Sequence, residues 1–296
     1  MTRADIFIDA AELGELLDGG GRVAILDVRW QLTESDGSDA YRRGHLPGAV
    51  YVSLDDELTD HTVSGRGRHP LPSGAAVQAA ARRWGLRDGV PTVVYDDWNR
   101  AGSARAWWVL TAAGIPNVRI LDGGLPAWTD AGGQIDRGDV DPDPGDIVVV
   151  HDDLYNGALP TLRAEEVLEY AGVLLDARAP QRFSGAEEPV DAVAGHIPGA
   201  RNAPSTGVLR ADGTLLAADD LTEFFGALPE SGEIGVYCGS GVTAAVTVAA
   251  LRANGVDARL FPGSWSEWCS DSARPVQRSV QAVRPGQMQI GAQTHR

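Results

Sequence analysis

Ile234-Gly235-Val236-Tyr237-Cys238-Gly239-Ser240-Gly241-Val242-Thr243 reads as a short apolar strand, a glycine-rich loop and the start of a helix. The two loop glycines let the chain curl tightly, with backbone N–H groups turned inward. The run Thr243–Asn254 has helix composition and stops at Gly255. The first N–H groups of such a helix lack intrahelical partners and carry the positive end of its dipole. A thiol placed there is expected to ionise readily and to act as a nucleophile. The alternative is that Cys238 is one more small buried hydrophobe.

The same pattern occurs earlier in the chain with an acid in place of the cysteine, at Thr92-Val93-Val94-Tyr95-Asp96. Three further pairs match in the same order. Ile25-Leu26-Asp27-Val28-Arg29 answers Leu174-Leu175-Asp176-Ala177-Arg178. Gly44-His45-Leu46-Pro47-Gly48-Ala49 answers Gly195-His196-Ile197-Pro198-Gly199-Ala200. Asp122-Gly123-Gly124 to Trp128 answers Pro262-Gly263-Ser264 to Trp268. The offset drifts only from 151 (Gly44 to Gly195) to 140 (Asp122 to Pro262), which short loop insertions explain. The reading is duplication, with one working cysteine site and one retired copy.

A length of 296 residues suits two domains of about 150 each. The expected division is residues 1–140, a linker at 141–160, a second domain at 161–284 and a tail from 285 to 296. The join around Gly132 to Pro160 holds Asp139-Val140-Asp141-Pro142-Asp143-Pro144-Gly145-Asp146, polar and broken by proline. The apolar run Ile147–Val150 after it is a candidate strand packed on one domain. Strands are expected at 23–26, 49–52, 92–95 and 118–121, then at 173–175, 234–237 and 258–261. Helices are expected at 75–84 behind a cap at Ser73, at 103–113, 219–228 and 243–254. This alternation predicts an α/β fold, a mostly parallel sheet covered by helices in each domain. In such sheets ligands bind beyond the carboxyl ends of the strands, where Asp96 and Cys238 stand.

Composition excludes several classes. Hydrophobic residues are 43% and charged residues 22%, the balance of a globular chain. No apolar run is long enough to span a membrane, and the first residues lack a signal-peptide pattern, so a cytoplasmic protein is expected. A net charge of −16 disfavours nucleic acid and anionic lipid as partners. Two cysteines and six scattered histidines support neither a disulfide framework nor a metal site. An anionic substrate would need a local positive field, which loop amides and a helix terminus supply without net positive charge.

The chain resembles the tandem rhodaneses. The resemblance rests on Asp27-Val28-Arg29, Asp176-Ala177-Arg178, the two Gly-His-x-Pro-Gly-Ala segments, the Cys238 loop and Gly263-Ser264-Trp265-Ser266-Glu267-Trp268. It implies two flavodoxin-like domains with the site at their interface, and an N-terminal domain that has lost its cysteine, as Asp96 agrees. It implies sulfur transfer without a cofactor: Cys238 takes a sulfane sulfur from a small anionic donor and passes it to a thiol such as thioredoxin, or to cyanide. Cysteine phosphatases share this layout, but the arginine they need six residues on is Ala244 here. The loop looks like that of 3-mercaptopyruvate sulfurtransferases, with thiosulfate the second choice of donor. The runner-up reading is a non-enzymatic persulfide carrier.

The resemblance further implies that Gly239, Gly241, Val242 and Thr243 form the substrate cradle and that Arg182, in Gln181-Arg182-Phe183, binds the donor carboxylate bidentately. A second arginine is expected where Val190 stands; Arg201 is a weaker substitute. The family's Ser-His-Asp relay would use Ser240 with His45, and Asp36 or Asp39 as the acid. His45 and its counterpart His196 equally suit a turn that bonds backbone. Asp27 and Asp176 read as structural ends of buried strands. Ser64-Gly65-Arg66-Gly67-Arg68-His69-Pro70 is basic within an acidic chain and either roofs the site or is a solvated loop. Trp98 lines the cleft or belongs to the core. Cys269 reads as structural.

Overall fold

The computed structural model describes residues 1–228 and 233–279, so the expected tail lies outside the described residues. The first half builds five strands: β1 (Phe7–Ile8), β2 (Ala24–Asp27), β3 (Val50–Tyr51), β4 (Thr92–Tyr95) and β5 (Val118–Leu121). They form one sheet in the order β1-β5-β4-β2-β3, every pair parallel. The second half builds β6 (Val173–Asp176), β7 (Arg201–Asn202), β8 (Ile234–Tyr237) and β9 (Arg259–Leu260). Their order, β7-β6-β8-β9, repeats β3-β2-β4-β5. The counterpart of β1 shrinks to a single parallel bridge, Thr161 to Leu260.

Duplication extends to atoms. Arg29 grips the Asp27 carboxylate and the Gly44 carbonyl, and Tyr95 donates its hydroxyl to Asp27. Arg178 grips Asp176 and the Gly195 carbonyl in the same way. The Leu46 N–H donates to Tyr95 Oη and the Ile197 N–H to Tyr237 Oη, both at 3.1 Å. A buried carboxylate costs several kcal/mol unless paired, so each Asp-x-Arg closes its own strand end. These groups are structural.

The helices Ala101–Ala112 and Thr243–Ala253 pack against each other between the sheets. Both are buried nearly all round, as expected of helices covered on every side. Alanines on both (Ala101, Ala104, Ala244, Ala245 and Ala249) let them approach closely, and one apolar core runs from Leu26 and Val94 through them to Leu175 and Val236. Two smaller cores cover the outer faces, around Leu13, Val93 and Trp128 in the first half and Leu174, Phe261 and Trp265 in the second. The halves therefore share one interior.

Ser73 caps the helix Gly74–Arg83, accepting from the Ala76 N–H at 3.1 Å. The expected strand at 147–150 does not form: Ile147 is buried, but Val148 and Val150 face solvent. The segment is tied to helices instead of a sheet. The Ile147 and Val150 N–H groups donate to the Leu86 and Ala113 carbonyls, and Arg82 donates to the Ile147 carbonyl.

Candidate functional site

Cys238 follows the last residue of β8 and is 2% exposed. Gly241 takes φ +78°, and a Cβ there would lie 2.2 Å from the Pro262 carbonyl oxygen. Only glycine fits, and its N–H is thereby turned back onto Cys238 Sγ at 3.2 Å. The helix Thr243–Ala253 starts immediately after the loop, with Val242 as its cap residue. The amide and the helix start thus stand beside the sulfur. The second wall is Gly263–Ser266. Ser264 Oγ accepts the Cys238 N–H, Trp265 donates its N–H to the Cys238 carbonyl and Ser266 donates to the Gly239 carbonyl. Gly239, Gly241, Val242 and Thr243 follow Cys238 along the loop into the helix, and of their amides Gly241's donates to the sulfur.

Ser240 is 5% exposed, and its Oγ lies 2.7 Å from Nδ1 of His69, which comes from the first half. His69 Nε2 lies 3.3 Å from Asp55 Oδ1, off the line of a hydrogen bond. Burial, aided by the nearby Arg105 guanidinium, holds His69 down to about 4 against the pull of Asp55. The imidazole is therefore neutral at pH 7, with one nitrogen donating and one accepting. With the proton on Nε2, facing the carboxylate, Nδ1 accepts the Ser240 hydroxyl proton.

His45 is not part of this chain of contacts. It is fully buried, stacked on Tyr41 at 4.3 Å, with Nδ1 and Nε2 against the Leu46 and Gly138 carbonyls. The Gly-His-x-Pro-Gly turn uses its histidine for backbone, and His196 does the same, stacked on Phe183 and bonded to its carbonyl. Nor do the proposed acids reach His45: Asp36 accepts from the Ser38 N–H and Tyr51, and Asp39 pairs with Arg42 on the surface. The signal for His69 was a histidine inside the one basic loop of an acidic chain. That loop is a roof. At Gly67, φ +82°, a Cβ would stand 2.4 Å from the Gly263 carbonyl oxygen, and the Arg68 N–H donates to Ser266 Oγ.

Arg182 lies beside Gly239, where a Cβ would be 3.3 Å from its Nη1. Its guanidinium is held by Glu188 at 2.7 Å and Asp191 at 3.0 Å. Val190 is 37% exposed and offers no cation. Arg201 is spent elsewhere, on the Phe225 and Ala227 carbonyls. Arg105 is fully buried in the Ala101–Ala112 helix and escaped the sequence reading, although a lone arginine in an apolar helix was a signal. It donates to the carbonyls of Leu58 and His69 at 3.0 Å and of Gly241 at 3.4 Å, tying both halves of the site together. Desolvation lowers it to about 10.

The equivalent loop of the first half is closed on itself. Asp96 accepts the N–H groups of Trp98, Arg100 and Ser103 and the Ser103 hydroxyl, and pairs with Arg100 at 3.1 Å. Its carboxylate takes the loop amides at the position equivalent to Cys238. Trp98 is 58% exposed, neither core nor part of the Cys238 site. Cys269 is half-buried and free; burial and Asp191 push its thiol up.

Two parallel α/β units, one with a cysteine cradle and one with a carboxylate in its place, define a tandem rhodanese. The chain belongs to the rhodanese family: the rhodanese-like domain matches residues 9–131 and 160–271. A Mycobacterium tuberculosis (strain H37Rv) protein, provisionally named thiosulfate sulfurtransferase SseB, is 63% identical over 94% of this chain and 99% of its own. The 3-mercaptopyruvate sulfurtransferase of Escherichia coli K12 is 34% identical over 92% of this chain and 97% of its own. Among solved structures, E. coli SseA, described as a 3-mercaptopyruvate sulfotransferase, superposes with TM-score 0.76 and 31% identity, covering 90% of this chain and 100% of that one. The Leishmania major 3-mercaptopyruvate sulfurtransferase gives 0.80 and 28%, covering 92% and 76%.

Proposed function

We infer that the chain is a sulfurtransferase that takes the sulfur of 3-mercaptopyruvate onto Cys238 as a persulfide and hands it to a thiol. The relatives' names support sulfur transfer and divide over the donor. One observation carries the choice: Ser240, two residues from the nucleophile, hydrogen-bonds neutral His69 from the other half. Thiosulfate yields sulfite, which needs no protonation at carbon. Mercaptopyruvate yields the enolate of pyruvate, which does. The Cys238 thiolate attacks the donor sulfur, an S–S bond forms and the C–S bond breaks, its electron pair passing to the enolate. The donor's thiol proton ends on the pyruvate methyl carbon, and Ser240 with His69 is placed to relay it.

The Gly241 N–H, already on Sγ, stabilises the charge that develops along the persulfide. An acceptor thiolate then attacks the outer sulfur and Cys238 leaves as thiolate, ready for another cycle. Arg182 binds the donor carboxylate. A low-molecular-weight thiol or thioredoxin serves as acceptor in a cytoplasmic setting, where free Cys238 and Cys269 stay reduced. Residues 1–140 form the non-catalytic unit and 161–284 the catalytic one, joined by 141–160. A carrier needs no proton relay, which favours an enzyme.

Initial rates with 3-mercaptopyruvate and with thiosulfate, cyanide as acceptor, test this beside Cys238→Ser. The expected result is a preference for mercaptopyruvate, a sulfur adduct on Cys238 by mass spectrometry and none in the variant. Transfer that survives in Cys238→Ser, or a preference for thiosulfate, overturns the reading.

A further inference from the structure

The second half carries Cys238 at the carboxyl end of β8, beside that of β6. The strand order reverses between these two strands, and open α/β sheets bind their ligands at such a point. The first half has the same crevice between β2 and β4. Asp96 takes the loop amides at the nucleophile's place, but a cavity of about 230 Å³ remains at the next residue, Asp97. Arg29, Trp30, Glu34 and Arg43 also line it. By the repeat, Asp97 answers Gly239, Arg29 answers Arg178 and Trp30 answers Ala179. The fold does not use all of these polar groups. Trp30 is 8% exposed, and its indole N–H is buried without an acceptor among the described residues. A buried donor left so is costly and marks a place for a partner. Burial pushes the half-buried Asp97 carboxyl up, against the pull of Arg29. Arg29 is engaged by Asp27 and the Gly44 carbonyl, whereas Arg43, the last residue of the helix Ser38–Arg43, is exposed.

We propose that this cavity is a second, non-catalytic binding site for a small zwitterion of the amino-acid class, its ammonium group on Asp97 and its carboxylate on Arg43 and the Trp30 N–H. The cavity is smaller than those that hold drug-sized ligands, so its occupant is small. Opposite charges in one lining suit a molecule that carries both, whereas an ion of one sign leaves a lining charge unanswered. Trp30 also stands edge-on to His69, with ring centroids 5.7 Å apart and planes at 85°. The occupant therefore shares a wall with Ser240 and His69. Binding here is independent of the chemistry assigned to Cys238.

The test is titration of L-alanine, propionate and ethylamine into the full chain. Calorimetry reads the affinity, and the Trp30 indole N–H resonance, missing from Trp30→Phe, reads the place. L-Alanine should bind at least about tenfold more tightly than either single-charge probe and shift that resonance downfield, as a new hydrogen bond does. Asp97→Asn and Arg43→Met should each weaken L-alanine binding roughly tenfold to a hundredfold, the loss of one charged hydrogen bond, with melting temperatures unchanged. Cys238→Ser should bind L-alanine as the parent does, which separates this cavity from the live site. No saturable binding of L-alanine, or equal binding of the three probes, overturns the assignment. So does an unmoved Trp30 resonance, affinity retained in both lining variants, or binding lost in Cys238→Ser.

Discussion

Lowering the pH from 7 to 4 should destabilise this protein through His69, and His69→Gln should abolish that component. An imidazole of about 6.5 when unfolded is held down to about 4 when folded. Burial is the main cause, the Arg105 cation the second, and Asp55 opposes both. The folded state prefers the neutral ring, so the contribution is complete above pH 6.5. It is lost as pH falls toward 4, while the unfolded chain takes up the proton and the folded one does not. The gap of about 2.5 pH units corresponds to about 3 kcal/mol. Buried carboxyls raised in the fold, Asp97, Asp191 and Glu267, act in the opposite direction. They are common to both proteins and cancel in the comparison. Urea unfolding at half-unit pH steps gives the two stability curves. Their difference should shrink by about 3 kcal/mol between pH 6.5 and 4. Parallel curves would refute the neutral, buried His69 on which the proton relay depends.

Gly241→Ala forces a side chain into a left-handed position against the Pro262 carbonyl. It should cost about 1–3 kcal/mol in unfolding free energy and lower kcat about tenfold or more, because the amide leaves Sγ. Arg105→Met strips donors from three carbonyls across both halves. Stability should fall by about 3 kcal/mol in denaturant titration, with kcat falling as the roof loop shifts. Asp96→Cys should give no second active site, since Ser240 and His69 stand at the Cys238 loop and not at the Asp96 loop. It should cost about 3–5 kcal/mol by leaving Arg100 buried without its carboxylate, and a variant as stable as the parent would contradict this account.

Much of the architecture was legible because it obeys local rules. Strands 92–95, 118–121 and 234–237 fall where β-branched runs meet turn residues, and the helix behind Ser73 starts at its cap. The two-residue strands Phe7–Ile8 and Arg201–Asn202 were missed, being too short to show a period. Ile147–Val150 has strand composition, but the Leu86 and Ala113 carbonyls, past two helix ends, and the Gln78 side chain took its N–H groups. Within the site, Cys238 and its loop are contiguous and could be read. His69, Asp55, Arg68 and Arg105 could not be assigned, because their places depend on how one half docks on the other. The choice of His45 came from the resemblance, whereas its recurrence as His196 reflects a shared turn that bonds backbone.

The single interior shared by the two halves has a consequence for when the chain becomes chemically dangerous. The Cys238 loop is made within the second half, but His69 and Arg105 reach it only after the alanine faces of the two helices have met. A nascent or partly unfolded molecule carries the thiol without the groups that complete the site. If those groups are required, the return of activity after denaturation should trail the formation of each sheet.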